Sequence, residues 1–156
     1  MHSKIIQVST GPIRKDAWLD PDDAITDETI GYVADYTDSC SEEERKETLE
    51  GLAELLDGIA TVDVEKGIIT VNEDREASVR LVNDWHQKTL KALLRTFSTE
   101  KCPDPLTSIF AVEKYRGSSF LFYAEYGRLS SAFVHDLALG YYGKTLHIRA
   151  VLDYHY

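Results

Sequence analysis

Residues 146–156 constrain the fold more than any other stretch. Leu146, Ile148, Ala150, Leu152, Tyr154 and Tyr156 alternate with His147, Arg149, Val151, Asp153 and His155. A period of two is the pattern of a β-strand with one buried face. A strand of this length needs a sheet to join and a second layer to cover its apolar side. The alternation predicts that His147 and His155 share the polar face, with Arg149 and Asp153 between them. At full strand rise these two histidines stand roughly 26 Å apart, too far to hold one metal ion.

The other elements fall into place around this strand. Lys4–Val8 reads as a first strand, closed by Gly11-Pro12. Asp20-Pro21 is a helix start, with proline at the first helical position. A short helix is expected from about Asp27 to Tyr36. Ser41 followed by Glu44 is a capping box. After it, Leu49, Leu52, Ala53 and Leu56 form one apolar stripe that ends at Gly58. Thr61–Glu65 and Ile69–Val71, joined by Lys66-Gly67, read as a hairpin. Asn72 or Asp74 caps the longest helix, which runs to about Phe97. Its apolar face (Val79, Val82, Trp85, Leu90, Leu93, Phe97) is expected to be central to the core, with His86 as a core histidine. Prolines at 103 and 105 forbid a helix there. Strands are expected at about Thr107–Tyr115 and Ser118–Tyr126. Leu129–Leu139 fits either a strand or a short helix ended by Gly140. Helices and hairpin-connected strands are interspersed. The fold class is therefore α+β, one domain over residues 1–156, mainly an antiparallel sheet with two to four helices packed on one face.

Charge is distributed unevenly. Residues 1–76 hold 20 Asp+Glu against 7 Lys+Arg, and residues 77–156 hold 7 against 10. Of the 16 aromatic residues, 12 lie at or after Phe97. The acidic half repels phosphate backbones, which makes direct nucleic-acid binding an unfavoured function. It attracts basic protein surfaces. No apolar run approaches the roughly 20 residues needed to cross a membrane. The first residues lack a signal-peptide pattern, and the two cysteines, Cys40 and Cys102, form no CxxC. A cytoplasmic, reduced protein is expected.

No motif of high chemical specificity is present. Asp20, Asp22 and Asp23, and Asp35 with Asp38, lack the ligand spacing and turn glycine of a calcium loop. They read as caps or solvated acids. No metal ligand set and no cofactor are expected. The serine pairs lack a GxSxG context. Cys40 precedes an acidic helix, which raises the pKa of its thiol. Tyrosines beside basic residues in the second half serve a core, an interface or base stacking.

The leading expectation is a non-enzymatic protein-binding module with an acidic face made of Asp35, Asp38, Glu43, Glu47, Glu50, Glu54 and Asp57. Its partner is a protein with a basic surface. The sharpest version is an inhibitor or immunity-type protein that blocks a nucleic-acid-processing protein by charge mimicry. The alternative is a small enzyme or ligand-binding protein with a pocket near His135, Asp136, His147 and His155. A third option is a homodimer that pairs through the last strand.

Overall fold

A computed structural model of the chain describes residues 2–12, 14–26, 36–97, 120–124, 128–130 and 133–155. Its hub is β7 (Thr145–His155), the strand with the clearest alternation. β1 (His2–Ser9) runs antiparallel along one edge of β7. Two strands share the other edge. β4 (Ile68–Val71) pairs with Thr145–His147, and β2 (Tyr36–Ser39) pairs with Leu152–His155. β3 (Ala60–Asp63) continues outward from β4, and β5 (Phe120–Ala124) lies parallel to β1, with β6 (Arg128–Ser130) beyond it. Among the described residues the sheet has seven strands. Six run in the order β3-β4-β7-β1-β5-β6, with β2 against β7, and only the β1–β5 pair is parallel. The expected α+β domain with a mainly antiparallel sheet is what forms.

The alternation of β7 breaks in the middle. Ile6 pairs with Val151 but Val8 pairs with Ile148, so β7 carries one more residue than β1 across this interval. A β-bulge of this kind shifts which face each later side chain meets. Leu146, Ile148 and Val151 therefore join one core, with Ile6, Val8, Ile69, Val71 and Phe122. Ala150, Leu152 and Tyr154 join a second core on the other face, with Ile5 and Ala24. The expectation of one uninterrupted apolar face from 146 to 156 is corrected by this extra residue.

Three helices cover the first face. α2 (Glu42–Leu55) contributes Leu49 and Leu52, α3 (Arg75–Phe97) contributes Val82, and α4 (Phe133–Gly140) contributes Leu137 and Ala138. The short α1 (Pro21–Thr26) lies on the second face with Trp18 and Leu19. Local chemistry sets the starts of these helices. Asp20 Oδ1 accepts from the Asp22 N–H at 2.9 Å, and Asp74 Oδ1 accepts from the Ala77 N–H at 2.9 Å. The Ser41–Glu44 capping box is complete, since Glu44 N–H donates to Ser41 Oγ and Ser41 N–H donates to Glu44 Oε2. Gly58, in the turn that follows α2, has φ 78°, and a Cβ there would lie 2.9 Å from Leu81 Cδ2.

Several expectations change. Ser78 and Val82 are buried in the first half of α3, while Leu90 and Leu94 are exposed. His86 is exposed on the same helix. Within the ambiguous 129–139 stretch, 129–130 belong to β6 and 133–139 are helical, while 131 and 132 lie outside the described residues. β2 was not foreseen, and the helix expected over 27–36 lies outside the described residues save Tyr36, which begins β2. The strand expected at 107–115 also lies outside them. Among the described residues β7 has paired neighbours along both edges. No helix among the described residues is long and apolar enough to cross a membrane.

Replacing Ser41 with Ala is expected to destabilise the fold by about 1 kcal/mol at neutral pH, measured by urea unfolding. Hydrogen bonds from the backbone and hydroxyl of Ser41 hold the Glu44 carboxyl below its ordinary pKa. A depressed carboxylate stabilises the fold above its unfolded value of about 4.3 and loses that contribution as the pH falls through its folded value. The gap between the wild type and Ser41→Ala is therefore expected to narrow below about pH 4. A gap that stays constant into acid would count against the box.

Candidate functional site

The two strands that share one edge of β7 do not meet. β4 ends its pairing at His147 and β2 begins at Leu152, which leaves the bulge between them. Each side contributes one further bond toward the gap: Ile148 N–H donates to Gly67 O at 2.7 Å, and Cys40 N–H donates to Val151 O at 3.2 Å. Side chains serve the bulge itself. Gln7 Oε1 accepts from Ala150 N–H at 3.4 Å and from Leu19 N–H at 2.9 Å, tying the bulge to the segment before α1. Arg45 Nη1 donates to the Arg149 carbonyl.

Arg45 reaches this place because of its position on α2. At about 100° per residue it falls on the same stripe as Leu49, Leu52 and Leu56, one turn before the first of them. An arginine there is pushed toward the sheet rather than into solvent. It is partly buried, and burial pulls its pKa below the ordinary guanidinium value, with the charge of Arg149 acting in the same direction. Arg149 donates to Ser9 Oγ and to Gly11 O.

A cavity of about 380 Å³ opens beside this gap. Lys15, Trp18, Cys40, Glu42 and Arg45 line it, with Ala150 and Leu152 as an apolar wall. Both Lys15 Nζ and Arg45 Cζ lie 5.7 Å from the centre of the Trp18 ring, a cation–π arrangement with two cations on one indole. The indole Nε1 is buried and has no hydrogen-bond acceptor among the described residues.

Cys40 lies 3.6 Å from Lys4 Nζ, which also pairs with Asp153 at 3.1 Å. Burial raises the thiol's pKa more than the Lys4 charge lowers it, and Glu44 and Asp153 add to the rise. The expected upward direction is present, with burial ahead of the acidic helix as its cause. A thiol held this way is neutral at pH 7 and a weak nucleophile. Burial opposes the charge on Lys4, but its contacts with Asp153 and Cys40 hold its pKa above the ordinary lysine value.

The sequence-derived sites fare differently. Glu43, Glu47, Glu50, Glu54 and Asp57 are all exposed on or just past α2, opposite its buried stripe. Asp38 is exposed on β2, where it accepts from Tyr36 Oη–H at 3.1 Å and from Ser39 N–H at 2.7 Å. It is a strand residue rather than a loop acid, and its cross-strand neighbour is Asp153. Asp35 and Cys102 lie outside the described residues.

The four residues of the alternative pocket are not gathered into one place. His135 and Asp136 are on α4, with Nδ1 and Oδ1 3.7 Å apart, and His135 stacks on His86 of α3 at 6.2 Å between ring centres. His147 and His155 stand on opposite faces of β7, because the bulge lies between them. Among the described residues no three His, Cys, Asp or Glu side chains converge as a metal site. The sequence reading missed Lys15, Trp18 and Arg45. The available signal was a charged residue in register with the Leu49–Leu52–Leu56 stripe.

Comparison with protein-family models, with curated proteins and with solved structures finds no match. The chemistry of the site therefore rests on its own geometry.

Arg45→Met is expected to lower stability by about 1–3 kcal/mol, because it leaves the Arg149 carbonyl without this donor. Arg45→Lys is expected to lose less. Urea unfolding of both variants checks this. Equal losses would show that a retained positive charge does not replace the guanidinium donor.

Proposed function

We propose that this protein is a non-enzymatic binding module that engages a basic surface of another protein through the outer face of α2. One observation carries this reading. Glu43, Glu47, Glu50, Glu54 and Asp57 are all exposed; at helical spacing the first four fall within an arc of about 60°, and Asp57 follows just past the helix end. From Glu43 to Glu54 the row is about 16 Å long. Among the described residues, the only ion pair to any of the five is Lys46–Glu50, at 4.0 Å. The acids are thus left for a partner or for solvent.

A row of carboxylates at one-turn spacing suits a groove lined with Lys and Arg, such as one that normally holds phosphates. The sharpest form of the reading is an inhibitor or immunity-type protein that occupies such a groove by charge mimicry. Asp38 stands on β2, just before α2, and extends the acidic surface. A ligand-binding function draws its support from the cavity beside Trp18 and not from His135, Asp136, His147 and His155.

The test is affinity capture from the native host at low and high salt, with wild type and with the triple variant Glu43→Lys, Glu47→Lys, Glu54→Lys. The partner is expected to be retained by wild type at low salt. Its affinity is expected to fall more than about tenfold in the variant, with circular dichroism unchanged. Capture that survives both the reversal and high salt would overturn the reading.

A further inference from the structure

We propose that the cavity beside Trp18 is a binding site for a small organic anion. A carboxylate or phosphate head is held by Arg45 and Lys15, and an apolar body lies against Ala150 and Leu152.

The chain has 27 Asp+Glu and 17 Lys+Arg, so a basic side chain has no shortage of acidic neighbours. Yet among the described residues neither Lys15 nor Arg45 forms an ion pair, and both lie 5.7 Å from the centre of the same indole. Twice that distance is 11.4 Å, the furthest the two charges stand from each other. Arg149 is close enough to depress the pKa of Arg45 and also has no carboxylate partner among the described residues. Arg45 and Arg149 are partly buried, and keeping like charges near one another there is unfavourable unless an opposite charge joins them.

Geometry supplies the rest. Among the described residues only one guanidinium donor of Arg45 is committed, to the Arg149 carbonyl. Guanidinium groups bind planar carboxylates and phosphates through paired donors. The cavity volume of about 380 Å³ falls at the lower end of small-molecule sites. One wall is cationic and the other is aliphatic, so the ligand has one charged end and one apolar end. Glu42 also lines the cavity, is exposed, and pairs with neither cation. The outer arc of α2 is not part of this site, so the proposal is independent of the acidic-face reading.

The experiment titrates the protein with phenyl phosphate, benzoate, inorganic phosphate and neutral benzamide, following the Trp18 indole resonance by nitrogen–proton NMR. A Trp18→Phe variant assigns that resonance against Trp85. Saturable shifts with phenyl phosphate or benzoate, and none with benzamide, are the expected result. Lys15→Met, which removes an exposed side chain away from the sheet, is expected to weaken binding about tenfold. Arg45→Lys keeps a charge near the bulge and is expected to weaken it by a similar factor. Glu42→Gln is expected to bind at least as tightly as wild type.

Four outcomes would overturn the proposal. The first is no saturable shift with either aromatic anion. The second is an equal response to benzamide. The third is inorganic phosphate binding as tightly as phenyl phosphate, which removes the apolar wall from the site. The fourth is unchanged affinity in Lys15→Met.

Discussion

The extra residue between Ile148 and Val151 sets the geometry around it. It turns Leu146 and Ile148 toward the helices α2, α3 and α4, and Ala150, Leu152 and Tyr154 toward Trp18 and α1. One strand thereby serves two cores, on opposite faces of the sheet. The bulge also falls between the stretches that pair with β4 and β2, so the edge of β7 is divided and a gap is left between the two neighbours. Arg45 from one side and Gln7 from the other bond the backbone at this point. The cavity exists because two strands stop short of each other there.

Features encoded over four or five consecutive residues were legible in the sequence. The Ser41–Glu44 box, the Asp20-Pro21 start, the Asp74 cap and the Lys66-Gly67 turn all depend on local backbone chemistry and form as read. The α+β class followed from the interspersed periodicities. The bulge did not, because alternation continues unbroken through 149 and 150 in the sequence, and the misfit is imposed by pairing with β1. β2 was equally hidden, since Tyr36–Ser39 has no apolar period. It is held by Thr37, whose hydroxyl donates to Pro21 O at 2.7 Å. The acidic stripe of α2 was readable from spacing alone. The cationic cavity was not, because Lys15, Trp18 and Arg45 are brought together only by tertiary packing.

Charge is sorted by position on one helix. The outer arc of α2 carries Glu43, Glu47, Glu50 and Glu54, while its inner arc carries Arg45 above Leu49 and Leu52. A fold with an overall negative charge thus keeps cations at a cleft beside the divided edge. The two surfaces differ in sign, in curvature and in the size of what they fit.

The central place of β7 also governs the order of assembly. Its partners β1, β2 and β4 all precede it, and the His2–His155 pair closes across nearly the whole described chain. During synthesis those strands carry unsatisfied edges until residues 145–155 emerge. Contacts of such long sequence separation slow folding, and exposed edges invite pairing with other chains while they wait. The charged first half, and α2 above all, keeps nascent chains apart through mutual repulsion during that interval.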